Sequence, residues 1–331
     1  MNLLVTGGCG FLGSHFIRGW LARCPKDTVT NIDCLTYAGS VDNLEEAQIH
    51  PHYQHLTIDV ADAAALSQAW PLAVGLVVHF AAETHVDRSL EDAGRFVRTN
   101  ALGTQMILAA ARASGRPTVV VISSDEVYGP TPGGITFGTE QPLRPTSPYA
   151  ASKAAGDWLA VAYAHTFGLD VTVVRSVNVF GPRQYPEKLI PLFVTRALAG
   201  ESLPLYGQGR QRRCWLHVDD FVAGLSVILT DDDKRRSTPV WHLGSQDELE
   251  NRCIAEEICT LCEADPKLIT PVPDRPGHDQ RYALDYSQTT RMFGWQPQVP
   301  FADGLRRTVE WVKVNQEWCK RRMGWRPAFL Q

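Results

Sequence analysis

No apolar run in the 331 residues approaches the ~20 needed to span a bilayer. Met1-Asn2 leads straight into Leu3-Leu4-Val5, without the basic and apolar layout of a secretory signal, so a cytosolic location is expected. Positive charge is not in excess either. Lys and Arg total 32 against 36 Asp and Glu, a formal net charge of -4. A bulk electrostatic grip on nucleic acid or anionic lipid is therefore not expected, and any anionic ligand must be held by groups gathered locally. Repeats, low-complexity tracts and coiled-coil heptads are missing. The eight cysteines, Cys9, Cys24, Cys34, Cys214, Cys253, Cys259, Cys262 and Cys319, are scattered as in reduced, buried thiols rather than a disulfide framework. Cys259-Thr-Leu-Cys262 falls inside a helical pattern at 252–263 with no second pair at zinc-ribbon spacing, and no metal is expected.

What is present is a long chain, 44% hydrophobic and 21% charged, able to bury a large core. Short apolar runs alternate with amphipathic stretches: Leu3-Leu4-Val5, Val29 to Ile32, Leu56-Thr57-Ile58, Leu76 to Phe80, Val119 to Ile122 and Val171 to Val174. Continuous Val/Ile/Leu runs of this length predict buried parallel strands covered by helices on both faces, hence an α/β doubly wound sheet. Two long helices are expected at about Leu90 to Ser114 and Ser147 to Phe167. After residue 180 the pattern turns irregular, with Gly181-Pro182, Pro186, Pro191, Gly207, Gly209 and Pro266 to Pro276. The expected division is 1–180 with 217–250 as a nucleotide-binding unit, and 181–216 with 251–331 as a smaller unit capping the sheet.

Thr6-Gly7-Gly8-Cys9-Gly10-Phe11-Leu12-Gly13 follows the first strand and opens an amphipathic helix. Glycines there permit a tight turn, close backbone approach to a pyrophosphate and close helix packing, while the helix N-terminus supplies N–H groups and a positive dipole. Asp33 closes the second strand about 20 residues on, where a carboxylate accepts from the adenosine ribose and repels a 2′-phosphate. The pair points to NAD rather than NADP.

Tyr149 and Lys153 stand at i and i+4 on one face of the second long helix. An ammonium beside a phenol is expected to lower its pKa and make Tyr149 a base near neutral pH. Ser123-Ser124-Asp125-Glu126 ends the fifth strand, at the carboxyl edge where open α/β sheets bind ligands.

The stretches TGGCGFLGSH, DCLTYAGS, HFAAETHVDRS, SSDEVYG, SPYAASKA, NVFGPRQYPEKLIP, YGQGRQRRCWLHVDD and DRPGHDQRYALD, spread over nearly the whole chain, resemble the extended short-chain dehydrogenases/reductases and, within them, the dTDP-glucose 4,6-dehydratases. The glycine motif and Tyr-x-x-x-Lys say only superfamily. The Asp-Glu pair after the serine, Pro-Glu-Lys-Leu-Ile-Pro and Arg-Pro-Gly-His-Asp are the dehydratase part of the likeness.

The resemblance implies a Rossmann-like fold, NAD, a nucleotide-sugar substrate (dTDP-glucose) and a homodimer built through the two long helices. It implies Tyr149 as base at the sugar 4-hydroxyl with Lys153 beside it, Glu126 as base at C5, Asp125 as acid at the C6 hydroxyl, and Ser124 on the 4-oxygen. It places Gly7, Gly10, Phe11, Leu12, Gly13, Asp33, Thr36, Asp59, Val60, Phe80, Ala81, Ala82, Thr84, Thr99 and Val179 around NAD with Tyr149 and Lys153. It places Thr84, Arg88, Ser124, Asn178, Lys188, Leu189, Pro204, Tyr206, Arg213, Asn251, Asp274, Arg275 and His278 around the nucleotide sugar, where Arg, Lys and amide donors suit a diphosphate.

Two departures stand out. Ser124 replaces the usual threonine and loses the methyl that restricts its rotamers. Asn178-Val179-Phe180-Gly181 replaces Asn-Asn-Tyr-Gly and loses an amide and a hydroxyl near the nicotinamide. A UDP-glucose dehydratase, or an epimerase or decarboxylase on the same scaffold, stands as the alternative.

Overall fold

The structure, a computed structural model, describes residues 1–323; the end of the expected second unit, 324–331, lies outside the described residues. With strands numbered along the chain, β1 (Asn2–Thr6), β2 (Thr28–Ile32), β3 (Tyr53–Leu56), β4 (Leu76–His79), β5 (Thr118–Ser124) and β6 (Val171–Ser176) join β10 (Val240–Leu243) in one parallel sheet. The order is β10-β6-β5-β4-β1-β2-β3. The strand order reverses between β1 and β4, so a crevice opens at their carboxyl ends, where such sheets bind nucleotides.

The doubly wound expectation holds because the central strands are buried on both faces. Leu3, Val5, Val78, Val120 and Ile122 share one core with Phe16, Ile17 and Trp20 of the helix Phe11–Arg23 and with Phe221, Leu225 and Ile228 of the helix Val218–Thr230. Leu4, Val77, Val119 and Val121 share another with Ile107, Leu108 and Ala111 of the helix Thr104–Ala113 and Ala160 of the helix Pro148–Phe167.

Three expectations need correction. The third strand is Tyr53–Leu56, not 56–58; it sits at the sheet edge, pairs only with β2 and is half-exposed, so it carries no apolar run to read. The buried Val240–Leu243 strand completes the other edge and did not appear among the expected runs. The long helix at 90–114 is broken: Val86–Glu91 ends at Asp92 (φ -140°, ψ 80°), Ala93–Phe96 restarts with the Asp92 carboxylate accepting from the Arg95 N–H, and a π-turn at Val97–Gly103 precedes Thr104–Ala113. The wide turn brings the buried Asn100 side chain to the Glu83 backbone, donating to its carbonyl (2.9 Å) and accepting from its N–H (2.9 Å), and also to Ser152 Oγ (2.8 Å). Such insertions cluster at functional sites.

The helix Pro148–Phe167 runs as expected. Ser147 caps it by accepting from Ala150 N–H, Pro148 occupies its first turn and Gly168 ends it in the left-handed region (φ +61°). Tyr149, Lys153 and Asp157 follow at four-residue spacing, all buried.

Beyond the sheet, β7 (Asn178–Phe180), β9 (Arg212–His217), β11 (Glu248–Glu250) and β13 (Arg281–Tyr282) form a second, smaller sheet, and β8 (Leu203–Tyr206) pairs with β12 (Ile269–Val272). A third core of Phe180, Phe193, Trp215, Ile254, Phe301 and Leu305 holds them together. Ala283, Leu284 and Trp295 return to the core of the main sheet. No helix among the described residues is long and apolar enough to cross a membrane.

Candidate active site

All seventeen residues expected around NAD line one cavity of about 290 Å³ at the carboxyl ends of the central strands. The glycines are there for steric reasons. Gly7 has φ +69°, and a Cβ on it would lie 2.5 Å from the Ala81 N; on Gly13 it would lie 2.5 Å from the Gly7 carbonyl oxygen. Gly10 precedes the helix Phe11–Arg23, whose first turn carries no side-chain cap and no acidic residue. Its leading N–H groups are left to an anion. Asp33 is buried, accepting from Cys9 N–H (2.9 Å) and Leu35 N–H (2.8 Å). Burial pushes its carboxyl up and these two donors pull it back. A cradle closed to any side chain, free helix N–H groups and an anchored carboxylate fit a dinucleotide.

At the far end of this cavity stand Ser124, Asp125, Glu126, Tyr149 and Lys153. Asp125 is fully enclosed, its Oδ1 accepting from Ser124 Oγ (3.1 Å) and its Oδ2 without a hydrogen-bond partner among the described residues. Burial, then the adjacent Glu126 charge, push its carboxyl up to about 7, against the pull of Arg213. Ser124 Oγ accepts from Glu126 N–H (3.2 Å), which sets the turn Asp125–Tyr128, and Glu126 Oε2 has no hydrogen-bond partner among the described residues.

One expectation about the tyrosine is overturned. The Tyr149 phenol is raised on balance, not lowered: burial, then the charge of Glu126, push it up, and a hydrogen bond with Ser124 opposes them. The lysine itself is lowered by burial, partly offset by Asp157, and its Nζ donates to the Ile122 carbonyl at 2.6 Å. Sequence spacing placed both side chains on one face, but it does not reveal what each one touches.

A second cavity of about 840 Å³ meets the first at Thr84, Glu126, Asn178 and Lys188. Arg88, Leu189, Pro204, Tyr206, Arg213, Asn251, Arg275 and His278 also line it, as expected. Its wall is cationic and braced. Arg213 stacks 4.4 Å over Tyr282 and donates to the Asp279 carbonyl (2.9 Å); Lys188 Nζ donates to the Thr84 carbonyl (2.7 Å). Asp274 does not line either cavity but stands behind His278, 2.6 Å from its Nδ1, and accepts from Gln211 (2.8 Å). Burial, then Arg275, lower His278 to about 4, so it enters the cavity neutral. Sequence reasoning missed the anions that brace this wall. Asp87 accepts from Tyr206 (2.7 Å) and pairs with Arg275 (3.1 Å); Glu187 pairs with Arg88 (2.8 Å) and accepts from Tyr37 (2.8 Å).

Comparisons with known proteins follow the same lines. The family model described as GDP-mannose 4,6 dehydratase matches residues 4–308. A dTDP-glucose 4,6-dehydratase of Streptomyces niveus is 46% identical over 322 residues, 96% of this chain and 94% of its own. The crystal structure of a dTDP-glucose 4,6-dehydratase from Streptomyces venezuelae, with NAD bound, matches with a TM-score of 0.93 at 45% identity, over 97% of this chain and all of its own. A UDP-glucose 4-epimerase from Thermus thermophilus, also in complex with NAD, has a TM-score of 0.86 at 29% identity, over 95% of this chain and 99% of its own. Matched over residues 4–308 and sharing close to half its residues with such relatives, the chain belongs to the family of GDP-mannose and dTDP-glucose 4,6-dehydratases.

Proposed function

We propose that this chain is an NAD-dependent hydro-lyase that converts dTDP-glucose to dTDP-4-keto-6-deoxyglucose and water. The observation that carries the reading is the pair Asp125-Glu126 where the two cavities meet, one carboxyl held near neutral pKa by burial and by its neighbour. An elimination needs an acid and a base side by side, and a carboxyl raised by burial next to a second carboxyl supplies that pair. An epimerase needs only the Tyr149 and Lys153 end of the site.

NAD, held by the glycine turn at 7–13, Asp33 and Lys153, would supply a hydride acceptor able to give the hydride back and a positive charge favouring the Tyr149 phenolate. Tyr149 takes the proton of the sugar 4-hydroxyl while Ser124 holds the 4-oxygen. The resulting 4-ketone acidifies the C5 hydrogen, which Glu126 removes; protonated Asp125 gives its proton to the departing C6 hydroxyl. Lys188, Arg213 and Arg275 hold the diphosphate, and His278 offers a neutral imidazole beside them. The nucleotide-binding unit is 1–180 with 217–250, and the substrate-binding unit is 181–216 with 251–331. Eight unpaired cysteines accord with a reducing, cytosolic setting. Exposed apolar Val97, Leu102 and Trp158 on the two helical segments accord with a homodimer.

The test follows the hydride. With dTDP-glucose deuterated at C4, the label is expected at C6 of the product, and reaction in heavy water is expected to label C5. Label retained at C4, or lost to solvent, sinks the assignment. Uridine-linked glucose turned over faster than the thymidine-linked sugar would instead select the alternative base.

A further inference from the structure

Gln184 lies in the loop after β7, is 8% exposed and lines the cofactor cavity. Its Nε2 donates to the Val179 carbonyl at 2.9 Å, which fixes the amide plane and turns Oε1 away from that bond. Oε1 is buried without a hydrogen-bond partner among the described residues. A buried amide oxygen left unpaired is costly, by the full desolvation of that group, and calls for a donor that arrives with a ligand. The neighbourhood narrows the kind of donor. Val179 has no polar side chain, and its carbonyl is already taken by Gln184. Ser176, three residues upstream and level with Ser124 across the β5–β6 pairing, lines the same cavity, and its buried Oγ is likewise unpaired among the described residues. An unpaired acceptor and an unpaired hydroxyl on this segment suit a ligand group carrying both an N–H donor and a carbonyl acceptor. A primary carboxamide is such a group, and the cofactor carries one on its redox ring.

We propose that Gln184 is a further cofactor-binding residue, whose Oε1 accepts from the carboxamide N–H of the nicotinamide and so fixes which face of the ring looks toward Ser124 and Tyr149. This inference rests on the NAD reading above. The test measures binding, by intrinsic tryptophan fluorescence, to protein stripped of nucleotide. Three ligands are compared: NAD, the analogue with an acetyl group in place of the carboxamide, and ADP-ribose, which lacks the nicotinamide. Gln184→Leu is expected to weaken NAD roughly three- to tenfold, the worth of one neutral hydrogen bond, and to leave ADP-ribose unchanged. Wild-type protein is expected to bind the acetyl analogue more weakly than NAD by a similar factor, a comparison that does not depend on the variant folding. Equal weakening of NAD and ADP-ribose by Gln184→Leu would make the residue a structural support only and overturn the inference, as would wild-type protein that binds NAD and the acetyl analogue equally. Wild-type protein binding neither NAD nor ADP-ribose would overturn the cofactor reading and this inference with it.

Discussion

Asp125 and Glu126 are neighbours in the chain, yet the turn gives them different surroundings, and the pH response of the protein follows from that difference. A carboxyl can serve as an acid only while protonated, and that of Asp125 is raised from 3.8 to about 7. Turnover is therefore expected to fall as pH rises through about 7, and Asp125→Asn should lose that limb along with roughly 10²–10⁴ of the rate. Glu126→Gln should cost a similar factor while leaving NAD binding intact. The same shift carries a stability signature. A carboxyl raised on folding favours the folded state below the unfolded pKa, and that support is lost as pH rises from about 4 toward 7. Asp125→Asn should thus melt higher than wild type at pH 8 and at the same temperature near pH 4; a calorimetric difference that does not depend on pH would contradict the buried-acid assignment. This pair was legible because the strand, the turn and both carboxyls are contiguous. Asp87 was not, since its partners Tyr206 and Arg275 lie 119 and 188 residues away, and only the folded chain brings them together.

At the scale of elements, the helix Pro148–Phe167 carries the site because its buried stripe is anchored at both ends. Tyr149 and Lys153 face the cavity, and one turn further Asp157 accepts from Arg175 Nε of β6 at 2.8 Å. Arg175 Nη1 reaches on to the hydroxyl of Tyr128, the last residue of the Asp125–Tyr128 turn, which also meets His242 Nε2 of β10 at 2.7 Å. The network ties the helix, the turn and two strands into one unit. Removing one partner of a buried pair leaves an uncompensated charge, so Arg175→Leu is expected to cost about 3–5 kcal/mol of stability. The double change Arg175→Leu, Asp157→Leu should recover most of it, as chemical denaturation can measure; a double variant as unstable as the single one would argue that packing, not charge, is lost. The helix itself could be read from Ser147-Pro148 and Gly168, local signals that need no tertiary partner. The broken helix before it could not. Its π-turn answers to Asn100 reaching the Glu83 backbone and to the helix Pro148–Phe167 packed so closely that a Cβ on Gly156 would lie 2.8 Å from the Asn100 carbonyl oxygen. The edge strand β3 was displaced for a related reason: half-exposed on the rim, it keeps no hydrophobic period to detect.

For the whole molecule, the remaining question is what covers the apolar surface on these same two helical segments. Trp158 is 61% exposed, Val97 54% and Leu102 39%, although each sits on an element whose other side is buried in the core around the site. Where such large apolar side chains form one patch, they mark an interface more often than bare surface. A symmetric dimer places the same patch on both subunits, so a single substitution is introduced twice into one interface. The wild-type protein is expected to scatter light as twice its 36.7 kDa chain at micromolar concentration, and Trp158→Glu to shift it to the monomer. The glycine turn at 7–13 and Asp33 lie on elements away from these segments, so the monomer is expected still to bind NAD. It should nonetheless melt lower, since the paired helices then lose a packing partner next to Tyr149. A wild-type protein that stays monomeric would leave this surface without a dimer role, while a Trp158→Glu variant that stays dimeric would move the interface elsewhere on the molecule.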